Sequence, residues 1–474
     1  MTDILSDLMS RCSRPCRGWL AALTCAAVAM AGCGSAELSD LGGSQKDSRL
    51  RDAVAALTGH RIREARATYR SILDRKPDSG EAAAGLALTE LFLLPEHQAS
   101  ARLLKEHLGA SGEIDAERAL YARNGFFYWW ARGARWEDDR DNYDGIKSLI
   151  ADRLPWSRDR LDSPQTFFDG LDRPLGEAVG DVLDIAARLE QIESDLDVAL
   201  EDPNLDRFVV PGEVFFNRDL TSALGKPEIA LLAAGLASIR AAIHFGAAYA
   251  YEWSLERAFG SHWKQKADTP DSKFPTAWDY SVDFVGRHLL TSLNEQRRSH
   301  LDRARRALRE ALGDLRDGLR RGIESEHETT LRWNEVDPAF VSKLRAFVGA
   351  LRSALDEENT LPHTDPTTRA DFSVLFEEGR TLTEGLSWFE RFTAGTQGGG
   401  EGSGSSPETE ASWRLDRRAI HDVFVAGLFD PPFDFTNPDS IPESPVRGDR
   451  FNAFYDNLTG ALRRRLQGTQ LKRR

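Results

Sequence analysis

The sequence predicts a mainly α-helical fold: helical hairpins at the N-terminus, continuing into an irregular helical bundle or solenoid. Three observations carry this expectation. Apolar residues recur at spacings of three and four in one segment after another, the period of an amphipathic helix. Small and aromatic residues repeat at a fixed interval over residues 46–113. One long run, Ile229 to Tyr251, is apolar throughout except for Arg240 and His244. The chain has 474 residues, 41% apolar and 29% charged, the composition of an ordinary globular protein. At about 150 residues per domain it has room for two to four domains. Its formal charge of −14 argues against a general nucleic-acid binder, which needs a net basic surface to neutralise phosphates. Lys occurs 10 times and Arg 51 times, a bias read as GC-rich codon usage that lowers the weight of any single arginine cluster.

The first residues read as an address rather than as fold. Arg11, Arg14 and Arg17 precede a short apolar run, Trp19 to Met30, too short to span a bilayer. The run ends in Met30-Ala31-Gly32-Cys33, and all four cysteines (Cys12, Cys16, Cys25, Cys33) lie at or before this point. The segment resembles the signal peptide and lipobox of bacterial lipoproteins, with Met30 where Leu is usual. The resemblance implies that residues 1–32 are removed and that Cys33 carries the lipid. The same run holds Ala29 and Ala31, the Ala-x-Ala of an ordinary cleaved signal. Gly34 and Ser35 follow the cysteine rather than Asp. Among lipoproteins of Gram-negative bacteria this implies an outer-membrane protein facing the periplasm. Two or three acyl chains anchor a protein where one would not. Residues 33–45 are a polar tether.

In residues 46–113, Ala65, Tyr69, Ile72 and Pro77 stand at spacings of four, three and five, followed by Leu86 and Ala87. This pattern resembles the tetratricopeptide repeat: a small residue where two helices touch, an aromatic and an apolar residue on the same face, and a proline after the helix. One period of 34 residues places Ala99 after Ala65, Leu103 after Tyr69 and Ala53 before Ala87. The second unit departs from the pattern, with Pro95 in its turn and Glu106 where Ile72 would map. A generic helical hairpin is the other reading.

Residues 114–394 are expected to form the helical bundle. Phe126 to Trp130 with Trp136 is the densest aromatic run, read as packing before a stacking platform. Asp138, Asp139, Asp141 and Asp144 lack the glycine and closing Glu of a calcium loop. Val179, Val182, Leu183, Ala186, Leu189 and Ile192 give an amphipathic helix within 174–206, with a possible short strand at 208–212. Pro227 opens the apolar helix; Arg240 and His244, costly in lipid, mark it as the buried centre of the bundle. A long helix is predicted over 281–327, with Leu301, Ala304, Leu308, Leu312, Leu315, Leu319 and Ile323 as its seam and its many arginines on a solvated face. Asp337-Pro338 reads as cap and first helical position, before a stripe of Phe340, Leu344, Phe347, Leu351 and Leu355. Residues 359–372 read as irregular and 382–392 as a short helix. The Gly/Ser-rich stretch 395–410 is a linker or long surface loop. The segment 411–474 is expected to be helical over 413–429 and 451–466, ending in a basic tail (Arg463, Arg464, Arg465, Lys472, Arg473, Arg474). That tail either complements a helix dipole or touches an anionic surface.

No metal-ligand pair, phosphate loop or nucleophile elbow stands in the sequence, so neither cofactor, metal nor catalytic residue is expected. Arg240 and His244, four apart on one helix face with Tyr251 further along, form the one pocket candidate. A buried arginine needs an anionic partner. That partner is either a glutamate of another helix or an anionic ligand. The expected function is a lipid-anchored envelope scaffold binding a protein or peptide partner. The alternative is a solute-binding or transporter-associated lipoprotein, or an enzyme, with its pocket in the bundle.

Overall fold

The computed structural model describes residues 48–107, 114–121, 170–215, 222–260, 277–325, 329–377, 379–382, 387–393, 411–432, 442–446 and 449–459. The signal segment, the tether, the aromatic run, the acidic stretch 138–144 and the basic tail lie outside them. Helices dominate, as the periodicities predict.

At the N-terminus α1 (Ser48–Thr58), α2 (Ile62–Leu73) and α3 (Gly80–Phe92) follow one another across short turns. After a 3-10 turn with Pro95 comes α4 (Gln98–Arg102), which runs on as a π turn to His107; α5 (Ala116–Tyr121) follows. Ala53, Ala65, Tyr69 and Ala87 are completely buried, and Ile72, Leu86 and Ala99 nearly so. Leu103 is half-buried, and Pro77 is exposed in the turn after α2. Tyr69 lies flat on Gly85, where an added Cβ would stand 2.4 Å from the ring.

The core is built from α6 (Val179–Glu201), α7 (Lys226–Ala247), α10 (Arg297–Glu324) and α11 (Pro338–Ser353), with the short helices α8 (Leu255–Phe259) and α9 (Ala277–His288) between α7 and α10. Packing follows chain order: α1 on α2, α2 on α3, α3 on α6, α6 on α7, α7 on α10, α10 on α11. Helix α7 is shared by two apolar cores. Ile229, Leu232, Ala233 and Leu236 face the core made with α1–α3 and α6; Leu231 faces that made with α10 and α11. This helix is long and apolar enough to cross a membrane, yet most of it is buried inside the protein. Its N-terminus is latched by Glu228, which accepts from the Gly225 N–H (2.9 Å), the Thr329 hydroxyl and the Trp333 indole (3.0 Å).

Several expectations for the second half are corrected. The helix predicted over 281–327 is two helices, broken at 289–296. Asn294 explains the break: its backbone N–H donates to the Ala248 carbonyl (3.0 Å) and its side chain to the Ala247 carbonyl, capping α7. Residues 359–372 are not irregular: β3 (Asn359–Leu361) pairs antiparallel with β4 (Thr368–Ala370). Between Ser373 and Glu377 lies the short helix α12. Where a helix is expected over 382–392, the described residues from 389 onward form a strand, β5 (Phe389–Thr393), antiparallel to β6 (Ala411–Leu415). Aromatic and β-favouring residues there find a partner strand beyond the Gly/Ser stretch, whose own residues lie outside those described. The helix expected over 413–429 shrinks to α13 (Arg417–Ile420) and a π turn, before β7 (Phe429–Asp430) joins β4. Residues 449–459 are helical. The short strand foreseen near 208 is present: β1 (Phe208–Val210) pairs with β2 (Ser222–Leu224).

Candidate functional site

Arg240 sits on the last turns of α7, where both apolar cores give way to charge. Its guanidinium grips Glu193 of α6 through two nitrogens, at 2.8 and 2.6 Å, and reaches Glu310 of α10 at 2.5 Å. Glu190 lies 3.5 Å away. Arg240 is 6% exposed and Glu193 8%, so this is a buried ion pair tying three helices together. Carboxylates outnumber the cation. Burial, with Glu310 and Asp314 nearby, pushes Glu193 up to about 7 despite the Arg240 pair. Burial and the charges of Asp197, Asp317 and Glu310 push Asp314 up to about 7 as well.

His244 follows one turn on. Burial, and then Arg303, His300 and Arg240, press its imidazole down to about 4, which keeps it neutral; its Nδ1 has no hydrogen-bond partner among the described residues. Tyr251 makes its contacts elsewhere. Its hydroxyl donates to the Gly246 carbonyl (3.1 Å) and its own carbonyl accepts from Gly176, pinning the entry to α6. The glutamate partner considered for Arg240 is thus Glu193, and the hydrogen bonds of Tyr251 go to neither Arg240 nor His244.

Two charged clusters were not legible in the sequence. In the first, Glu90 on α3, 4% exposed, accepts from Arg66 (2.8 Å) and Arg70 (2.9 Å) of α2 and pairs with Arg188 of α6. These arginines hold its carboxyl below the usual range in spite of burial. At the other end of α3 the Gly80 N–H donates to Asp202, just past α6, at 2.7 Å. α3 and α6 therefore run antiparallel, clamped at both ends. The second cluster lies between α10 and α11, where Arg309, Arg316, Gly349, Arg352, Ser353 and Asp356 line a cleft of about 270 Å³. Asp356 accepts from Arg305 (3.0 Å) and also pairs with Arg309. The arginines of α10 are thus not all on a plain solvated face.

Among the described residues no three His, Cys, Asp or Glu side chains gather as a metal site. No family model, curated protein or solved structure matches the chain.

Proposed function

We propose that this protein is a lipid-anchored scaffold of the cell envelope, held to the outer membrane through Cys33 and binding a protein or peptide partner with its N-terminal helical hairpins. The observation that carries the reading is the order of packing. Helices α1, α2, α3, α6, α7, α10 and α11 pack one on the next in chain order, the nearest-neighbour arrangement by which helical repeats build extended binding faces. The buried alanines one period apart support it: Ala53 with Ala87, Ala65 with Ala99. Glu90 and Asp202 support it too, because they make the hairpins a rigid extension of the bundle.

Two measurements test it. Cys33→Ser should abolish incorporation of labelled palmitate and release the protein from the membrane fraction; palmitate labelling that survives the change refutes the anchor. A photo-crosslinking residue placed at the exposed positions 51 and 67, on α1 and α2, should yield one discrete adduct in living cells. The same residue at exposed position 343 on α11 should not. Identical adducts from all three positions, or none from any, would remove the hairpins as the binding face.

A further inference from the structure

The stretch of α10 that faces α11 is where the protein leaves its own charge unanswered. Arg305, Arg309 and Arg316 fall at spacings of four and seven and so share one helix face. Arg352 of α11 meets them, its Nε donating to the Arg309 carbonyl at 3.2 Å. Glycines keep the walls low: a Cβ at Gly313 would stand 3.7 Å from the Arg352 guanidinium, and one at Gly349 would stand 3.7 Å from the Arg316 side chain.

Of the four guanidinium groups, Arg305 and Arg309 pair with the one carboxylate that lines the cleft, Asp356. Arg316 has no hydrogen bond or ion pair among the described residues. Arg309 Nε is buried with no acceptor among the described residues. Burial and the neighbouring charges of Arg305 and Arg352 push the Arg309 guanidinium below its ordinary value. Asp314 interacts with Arg352 through space, but the two form no ion pair.

We propose that this cleft binds a phosphate-class oxyanion, either free phosphate or the phosphate of a lipid headgroup. Asp356 is taken up by Arg305 and Arg309, which leaves Arg316 and Arg352 with no ion pair among the described residues. A tetrahedral dianion offers several oxygens in different directions to the Arg309, Arg316 and Arg352 side chains that line this cleft, and it answers their charge. The volume suits a phosphate group with a few attached atoms, and the exposed Ser353 and Asp356 leave its rim open. The proposal is independent of the anchor and of the hairpins.

The test uses the full chain in neutral-detergent micelles, titrated calorimetrically at fixed ionic strength with inorganic phosphate and, separately, with dihexanoylphosphatidate, a soluble short-chain phospholipid. Saturable binding of at least one is expected. Arg316→Gln removes no hydrogen bond or ion pair among the described residues, so it should change the melting temperature little and weaken binding about tenfold, the effect of one charged hydrogen bond. Arg352→Gln should weaken it similarly. Arg320→Gln, whose guanidinium is held by Glu324 outside the cleft, should leave it unchanged. Tighter binding of phosphatidate assigns a lipid headgroup, and equal or tighter binding of phosphate assigns the free anion; both support the site. Absence of binding by either probe, or binding indifferent to Arg316→Gln and Arg352→Gln, overturns it.

Discussion

Arg240 and Glu193 illustrate how strongly one buried charge depends on its partner. Removing the guanidinium leaves Glu193 buried with no cation, and breaking such a pair costs about 3–5 kcal/mol, whereas replacing both members with apolar groups can be neutral. Arg240→Met should therefore lower the unfolding free energy obtained from urea titration by an amount in that range, and Arg240→Met with Glu193→Leu should recover most of it. If the double variant is as unstable as the single one, Glu193 is not the partner that matters. The sequence announced half of this site. An arginine inside an apolar helix must be paired, but nothing local says that the pair lies 47 residues earlier, on α6. The Arg309–Arg352 cleft was hidden for the same reason, its halves 43 residues apart in a chain where arginine is common everywhere.

At the scale of elements, the turns of the N-terminal hairpins rest on small residues. Ala65 is completely buried and Ala99 is 1% exposed. Adding a branched side chain at either should overpack the helix contact and cost about 1–3 kcal/mol. Ser79 stands at the N-cap of α3 but its side chain caps nothing, so Ser79→Ala should be nearly neutral. Thermal melts of Ala65→Leu, Ala99→Leu and Ser79→Ala check this; equal shifts in all three would mean the register of the hairpins is misread. The stripes of α6, α10 and α11 were legible because a helix face repeats within one segment. The Asp337 cap was legible as well, its carboxylate accepting from the Ala339 N–H at 2.9 Å. The strands were not. β5 needs β6 from beyond a Gly/Ser stretch, and the break before α10 is made by carbonyls at the end of α7, so both depend on contacts that no local window contains.

Across the whole molecule, buried carboxyls set the pH response. Glu193, Glu228 and Asp314 are pushed up to about 7, mainly by burial, above the values they have in an unfolded chain. Between about pH 4 and pH 7 the folded protein therefore holds protons that the unfolded chain releases, and stability falls as pH rises through that window. His244 acts in the opposite direction. Pressed down to about 4, it favours the folded state more as pH rises from 4 to 6.5. The carboxyls outnumber it, so the melting temperature should decline from pH 5 to pH 8. Asp314→Asn removes one of the groups that must ionise against its acidic neighbours. It should match the parent near pH 4 and melt higher at pH 8. A parallel pH profile for the two proteins would exclude Asp314 from the response.

The antiparallel pairing of β5 with β6 has a practical side. Because Thr393 and Ala411 are already held opposite each other, the chain between them closes a ring whose ends the fold has fixed. Ring closure depends only logarithmically on length, and doubling it adds about 0.6 kcal/mol. A reporter domain inserted between residues 394 and 410 would therefore leave the rest of the protein thermodynamically almost untouched, which makes this the natural port for a fluorescent or affinity handle.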